Sequence, residues 1–338
     1  MSLTLSKPAL PVLDLDDLTA DRADFLRRLR ATARDIGFFY LAGHGIDRDE
    51  MDTVLAISRR FFALPEAEKR KVQMIHSPHF RGYNQAGLEL TRGREDWREQ
   101  FDIHSEREAL PRTPDAPAWT RLQGPNLWPE ALPELRPVLL RWQARLTEVA
   151  TRVVSALVES LEQPAEALAA IYADRPNQTM KLIRYPGVEG ARSDQGVGAH
   201  KDSGLLTLLL QDEHRGLQVQ AEDGCWIEAD PIPGTFVVNI GELLELASNG
   251  YLRATIHRVV SPAPGTERLS VAFFLGARLD ATVPLLQLPP ALAAEAKGPA
   301  SDPENPLFRE VGQNYLKGRL RSHPDVAQRY HADLLAPR

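Results

Sequence analysis

The sequence predicts a mainly β fold with α-helical support, a double-stranded β-helix (jelly roll) core flanked by helices. Two patterns lead there. After Thr179, short apolar runs recur between turn residues, at about 180–185, 205–210, 217–220, 235–239, 255–260 and 269–275. Many short strands at such spacing build β-sandwiches and barrels. Earlier, Leu139, Trp142, Leu146, Val149, Val153 and Leu157 recur at helical period and give one broad apolar face able to support a sheet.

Taken in order, residues 10–15 read as a short strand. A helix over 21–36 places Phe25, Leu29 and Ala33 on one face and stops at Gly37. Residues 38–41 are a second strand, turned by Gly43-His44-Gly45, where His44 serves the backbone. Asp47 is the N-cap of a helix through Ser58 and Phe62, stopped near Pro65. Residues 66–71 are a charged turn on a solvated face. From 80 to 103, aromatic and charged residues mix without a clean period.

Seven prolines between Pro111 and Pro137 make an irregular connection. The long helix starts at Glu134 or Val138 and runs to Glu162, ended by Pro164, with a short helix at 165–172. The polar loop at 188–198 can hang over a pocket, and residues 242–247 form a helical piece. Residues 284–306 are a proline- and alanine-rich surface excursion, followed by a helix over 308–320. The chain is thus one unit, 1–338. It has an N-terminal region at 1–133, supporting helices at 134–175, a strand-rich core at 176–280 and a C-terminal excursion and helix at 281–338.

Composition narrows the function. With 43% hydrophobic and 25% charged residues, the chain is an ordinary globular protein. A formal charge of −6 gives no basic surface for nucleic acid. No apolar run is long enough to span a bilayer or resembles a signal peptide. The single cysteine, Cys225, excludes an intrachain disulfide and suits a reducing cytoplasm. Beside Trp226 it reads as an inert small hydrophobe. A monomer or weak homodimer is expected, with no partner beyond a small-molecule substrate.

The chemistry gathers at His200-Lys201-Asp202, where the strand at 205–210 begins. In an extended segment, residues i and i+2 point to one face, so His200 and Asp202 can share a metal ion. His257, in another strand-like run, supplies a third ligand. Two imidazoles and one carboxylate form the facial triad of non-haem Fe(II) oxygenases, with positions left open for other ligands. Of the nine histidines, His200 and His257 alone fall in such a setting. His76, His79, His104, His214, His323 and His331 read as surface or loop residues.

With these motifs in this order, the chain resembles the 2-oxoglutarate/Fe(II)-dependent dioxygenases of the isopenicillin N synthase type. The resemblance runs from Leu10-Pro11-Val12 and Gly37-Phe38-Phe39 through Phe61-Phe62-Ala63-Leu64-Pro65 and Arg184-Tyr185-Pro186. It continues through His200-Lys201-Asp202, Asn239-Ile240-Gly241, Ser248-Asn249-Gly250, His257-Arg258-Val259 and Arg268-Leu269-Ser270. Glu242 follows Asn239-Ile240-Gly241 where the family usually has Asp, a position that is not a family ligand.

The resemblance implies an enzyme that consumes 2-oxoglutarate and O2 and oxidises, by default hydroxylates, a small organic molecule through an Fe(IV)-oxo intermediate. It implies that Arg268 and Ser270 hold the far carboxylate of 2-oxoglutarate and that Tyr185 lines the same pocket. It also implies that the 80–103 segment walls the substrate. Arg81, Tyr83, Arg184 and Phe273 are accordingly substrate candidates. With Arg94 and Arg98, the arginines point to a small, polar substrate bearing an anionic group, such as an amino acid or short peptide derivative. An apolar natural product is the rival, whose pocket Phe273, Phe274 and Leu205 could equally line. Asn239 and Gly241 read as turn residues. Three alternatives stay open: a 2-oxoglutarate-independent oxidase of the same fold, an open-site zinc hydrolase, and a non-catalytic binding module. In the zinc hydrolase Arg268-x-Ser270 has no obvious task.

Overall fold

The computed structural model describes residues 9–188, 193–300, 302 and 305–335. The expected loop at 188–198 lies outside the described residues at 189–192, as does the excursion at 301, 303 and 304. The strands in the first half are β1 (Val12–Asp14), β2 (Phe38–Ala42), β3 (Gly82–Asn84), β4 (Leu90–Thr91), β5 (Arg94–Glu95) and β6 (Glu99–His104). The second half adds β7 (Asn177–Pro186), β8 (Gln195–His200), β9 (Leu206–Gln211) and β10 (Leu217–Gln220). After these come β11 (Trp226–Glu228), β12 (Phe236–Ile240), β13 (His257–Val260) and β14 (Glu267–Gly276).

They form an eight-stranded sheet in the order β1-β2-β12-β9-β14-β7-β6-β3 and a four-stranded sheet in the order β11-β10-β13-β8, with β4 and β5 a separate hairpin. Period-two alternation divides the large sheet's residues between two apolar clusters. Along β14, Leu269, Val271, Phe273 and Leu275 join the cluster shared with the helices. Ala272 and Phe274 join the cluster between the two sheets, with Val197, Val219 and Val259 from the small sheet. Arg268 and Ser270 share the face of Ala272 and Phe274, the face that carries the site.

The helical layer follows from the large sheet's outer side. Leu206, Leu208, Leu210, Phe236, Val238 and Ile240 all point away from the small sheet and need cover. The helix Leu135–Ser160 provides it through Leu139, Trp142, Leu146, Val149, Val153 and Leu157, all buried. Beside it, Arg22–Asp35 buries Phe25, Leu29 and Ala33, and the Asp21 carboxylate caps its first turn from the Asp24 N–H at 3.3 Å. Gly37 ends that helix with φ of 71°, and a Cβ there would lie 2.1 Å from the Arg253 carbonyl oxygen. Only glycine fits both demands.

The fold is therefore mixed α/β around a central sheet, and not mainly β. The longest helix has 26 residues against 10 for the longest strands. Because the sheet is apolar on both faces, a second layer of helices is as necessary as the facing strands.

Local departures have similar causes. Residues Glu66–Lys71 form a helix whose Lys69 is buried, bonded to Glu99 at 3.1 Å and set over the Tyr83 ring. Only a 3-10 turn, Ala169–Ile171, stands where a helix over 165–172 was expected. Asp47 occupies the N-cap of Arg48–Phe62 without a side-chain capping bond. His104, His323 and His331 are buried rather than superficial, and Cys225 is exposed rather than packed. Among the described residues no helix is long and apolar enough to cross a membrane.

Candidate metal and cosubstrate site

His200 ends β8, His257 opens β13, and the two residues are direct cross-strand partners. Their ring centroids lie 4.3 Å apart. Asp202, just past β8, places Oδ1 3.4 Å from His200 Nε2 and 3.6 Å from His257 Nε2. Two ligand bonds of about 2.1 Å at right angles separate their donor atoms by about 3 Å, so this spacing suits one face of an octahedron. The His200 side chain is 32% exposed while those of Asp202 and His257 are below 10%, so the cluster opens on the His200 side.

Each ligand atom is oriented from behind. His200 Nδ1 lies 2.8 Å from the Gly198 carbonyl, and His257 Nδ1 lies 3.1 Å from the Thr255 carbonyl. A carbonyl can only accept, so both Nδ1 atoms carry the proton and both Nε2 lone pairs face the centre. Asp202 Oδ2 accepts the Thr207 hydroxyl at 2.6 Å and the Asn239 amide at 2.8 Å, leaving Oδ1 for the centre. Phe38 meets the His257 ring edge-on at 5.1 Å.

The charge states of Asp202 and His257 suit a cation. Burial opposes ionisation of Asp202, but His257, His200 and the Thr207 hydroxyl outweigh it and hold the carboxyl well below the usual range. Burial, reinforced by neighbouring His200, pushes His257 down to about 4, so its imidazole is neutral near pH 7. His200 is also desolvated, yet its hydrogen bond and attraction to Asp202 raise it.

Behind His200 stands a residue the sequence reading missed. Asp96 is wholly buried and accepts the Gly198 N–H at 3.0 Å and the Gln195 amide at 2.9 Å. Its other oxygen accepts the Thr91 hydroxyl at 2.8 Å and faces Arg98 at 3.3 Å. Asp96 thus fixes Gly198, whose carbonyl orients His200. No local motif marks such a role, because the contact spans 102 residues. Asn239, read as a turn residue, is instead a donor to Asp202.

Further along the same face, Arg268 is fully buried. Its Nε donates to the His214 carbonyl at 3.2 Å and its Nη2 to Gln211 at 2.8 Å. Its guanidinium also lies over the Tyr185 ring, 4.9 Å from the centroid. Arg268 Nη1 and Ser270 Oγ have no partner among the described residues. Two unpaired buried donors two residues apart on one strand face fit a carboxylate, which would satisfy both.

The substrate candidates divide. Phe274 shares the face of the triad's supports, whereas Phe273 is fully buried in the helix-side core. Tyr83 belongs to that core too, against Phe61. Arg184 points the same way, paired with Glu99 at 2.9 Å and lying over Phe62. Arg81 is buried, with its guanidinium on the carbonyls of His79 and Leu122. The structure does not bring these four together with the triad; a count of arginines along 80–103 could not reveal which way each pointed.

Residues 10–131 match the family of the non-haem dioxygenase in morphine synthesis, N-terminal region, and residues 176–277 match the 2OG-Fe(II) oxygenase superfamily. A 2-oxoglutarate-dependent dioxygenase, frbJ, of Dothideomycetidae sp. (strain 11243) is 36% identical, with 96% of this chain and 93% of that protein covered. A homoarginine-6-hydroxylase of Arabidopsis thaliana is also 36% identical, over 83% of this chain and 88% of its own. Among solved structures, JOX2 in complex with 2OG, Fe and JA superposes with TM-score 0.72 at 26% identity, covering 95% of this chain and 90% of that one. The rice dioxygenase for auxin oxidation gives TM-score 0.66 at 27% identity, covering 94% and 99%. The second family match spans the triad and the Arg268–Ser270 strand, and together the matches place the chain in the 2OG-Fe(II) oxygenase superfamily as an Fe(II)- and 2-oxoglutarate-dependent dioxygenase.

Proposed function

We propose that His200, Asp202 and His257 hold the iron and that Arg268 and Ser270 hold the far carboxylate of 2-oxoglutarate, for oxidation of a small polar molecule. The observation that carries the ligand assignment is the pair of Nδ1–carbonyl bonds, which turn both Nε2 atoms and Asp202 Oδ1 to one centre. When bound, iron and 2-oxoglutarate supply the activation of dioxygen, with succinate and carbon dioxide as by-products. The chain's own part is to orient the ligands, neutralise the cosubstrate's charge at Arg268 and aim a C–H bond at the open face. Tyr185 contributes by stacking under Arg268.

The relatives named as homoarginine-6-hydroxylases, 32–36% identical, support an amino-acid-like substrate. The experiment is succinate release by the iron-loaded enzyme, which should rise when the right small molecule is added. Genuine product formation with no succinate would overturn the reading.

On the same reading the chain is one oxygenase unit, 1–338, with residues 176–280 as a double-stranded β-helix made of the two facing sheets. The two family matches support these boundaries. The lone cysteine supports a cytoplasmic setting without disulfides. A monomer or weak homodimer, with neither nucleic acid nor membrane as partner, completes the proposal; light scattering is its check, and a stable tetramer would contradict it.

Asp96 gives the reading a further consequence. Residues that orient a ligating histidine are worth about 10–100-fold in metal affinity or activity, and Asp96 acts one peptide further out. Asp96→Asn is expected to weaken iron(II) binding by about tenfold, as read by anaerobic titration. Unchanged affinity would reduce Asp96 to a structural group.

A further inference from the structure

β6 carries a run of buried polar side chains that neither the triad nor the cosubstrate site uses. Gln100 and Asp102 are both fully buried, and Arg98 is nearly so. Gln100 lies directly across from Ile183, and Asp102 across from Lys181. Lys181 in turn pairs with Ala272. Ile183 and Ala272 belong to the cluster between the sheets, so Gln100 and Asp102 share the triad's face. Arg98, two residues before Gln100, reaches that side as well, because its partner Glu89 also binds Lys181.

The charges around this strand are already matched. Arg98 is paired with Glu89 at 2.8 Å and with Asp96 at 3.3 Å. Lys181 is paired with Glu89 at 3.0 Å and Asp102 at 3.5 Å. Arg319, from the helix Val311–Ser322 that covers the wall, meets Asp102 Oδ2 at 3.1 Å. Burial keeps His323 and His104 neutral here. Three cations thus face three carboxylates along this strand, and Arg81, bonded to the His79 and Leu122 carbonyls, is a fourth cation near Asp102 and Arg319.

What remains open is a specific set of hydrogen-bonding atoms. Gln100 Nε2, Gln100 Oε1, Asp102 Oδ1 and Arg98 Nε are all buried without a partner among the described residues. They comprise two donors and two acceptors on successive same-face positions, about 7 Å apart along the strand. A buried polar group left unpaired is costly, so four on one strand face call for a ligand that satisfies them. A zwitterionic head group meets both needs, with an anionic acceptor for the two donors and a cationic donor for the two acceptors.

We propose that Arg98, Gln100 and Asp102 bind the head group of a free α-amino acid, which rests on the oxygenase reading and names its substrate class. Its carboxylate takes the N–H groups of Gln100 Nε2 and Arg98 Nε, and its ammonium donates to Asp102 Oδ1 and Gln100 Oε1. Asp96, which faces Arg98, also binds Gln195 and Gly198 of β8, so the head-group site lies beside the strand that ends at His200 and leaves the amino acid's side chain to face the triad.

The test is calorimetric titration of the full chain loaded with manganese(II) and 2-oxoglutarate. The probes are L-arginine, L-lysine, L-ornithine, L-leucine and L-phenylalanine, each free, N-acetylated and as the C-terminal amide. At least one free amino acid should bind, and blocking either end should weaken it by about tenfold or more. Gln100→Leu and Asp102→Asn should each weaken it by about the same factor. Gln100→Leu also removes two unpaired buried polar atoms, so it should melt no lower than the wild type while binding worse; a structural role alone would not separate the two. Equal binding of blocked and free forms, variants that bind like the wild type, or no binding by any probe would each overturn the inference. Succinate release tests the iron and 2-oxoglutarate reading separately, so either can fail without the other.

Discussion

Asp202→Ala is expected to abolish turnover while leaving the metal-free protein folded. In the proposed assignment Asp202 is the anionic ligand, and its Oδ1 stands within 3.6 Å of both Nε2 atoms. Removing one partner of a buried charge pair costs about 3–5 kcal/mol, which is about two to four powers of ten in iron affinity. Without iron, burial works against the Asp202 charge, so its loss removes a cost along with the bonds to Thr207 and Asn239. Anaerobic iron titration, succinate release and circular dichroism together check this. His200→Ala and His257→Ala should follow the same pattern. A variant with near-normal iron-dependent turnover would refute the ligand assignment. So would full activity with zinc alone, since zinc has no redox chemistry to offer dioxygen.

The triad was legible because its signals are local. His200 and Asp202 sit two residues apart at a strand end, and His257 begins a strand of its own. The long helix was legible for the same reason: its apolar period is written in consecutive turns, and all six residues read from it are buried. The balance of the fold was not. Leu205 to Leu210 reads as one apolar run, and nothing in it says that Leu206, Leu208 and Leu210 face helices while Leu209 faces strands.

The substrate wall was illegible for a related cause. Tyr83 and Asn84 are neighbours in sequence, yet only Tyr83 joins the helix-side core, whereas Asn84 bonds His323 from the far end of the chain. Which residue points where depends on register against β6, set by pairing rather than by any residue's own preference. The same holds for Phe273 and Phe274, where the sequence offered both and the pairing chose. Asp96 escaped notice because it lies outside any strand and its partner Gly198, on β8, contributes only a backbone N–H.

Arg268→Ala is expected to raise the KM for 2-oxoglutarate by about two to four powers of ten, on the same 3–5 kcal/mol for breaking a buried charge pair. The guanidinium is immobilised before any ligand arrives, by the His214 carbonyl, the Gln211 amide oxygen and the Tyr185 ring. Its remaining Nη1 has no partner, and neither has Ser270 Oγ on the same strand face. A carboxylate arriving there therefore meets a rigid donor pair and loses little entropy in ordering it. In the proposed assignment Arg268 holds the end of the cosubstrate remote from the metal, so saturating 2-oxoglutarate should restore much of kcat. Arg268→Lys should recover part of the affinity, since an ammonium keeps the charge but not the fixed fork. Ser270→Ala removes one neutral donor and should cost about tenfold, within the 1–3 kcal/mol range for a buried polar group left unpaired. Initial rates against 2-oxoglutarate and against the primary substrate separate the possible roles. If the KM for the primary substrate rises and that for 2-oxoglutarate does not, the pair holds a substrate carboxylate instead, and the cosubstrate's far end must be sought elsewhere on this face.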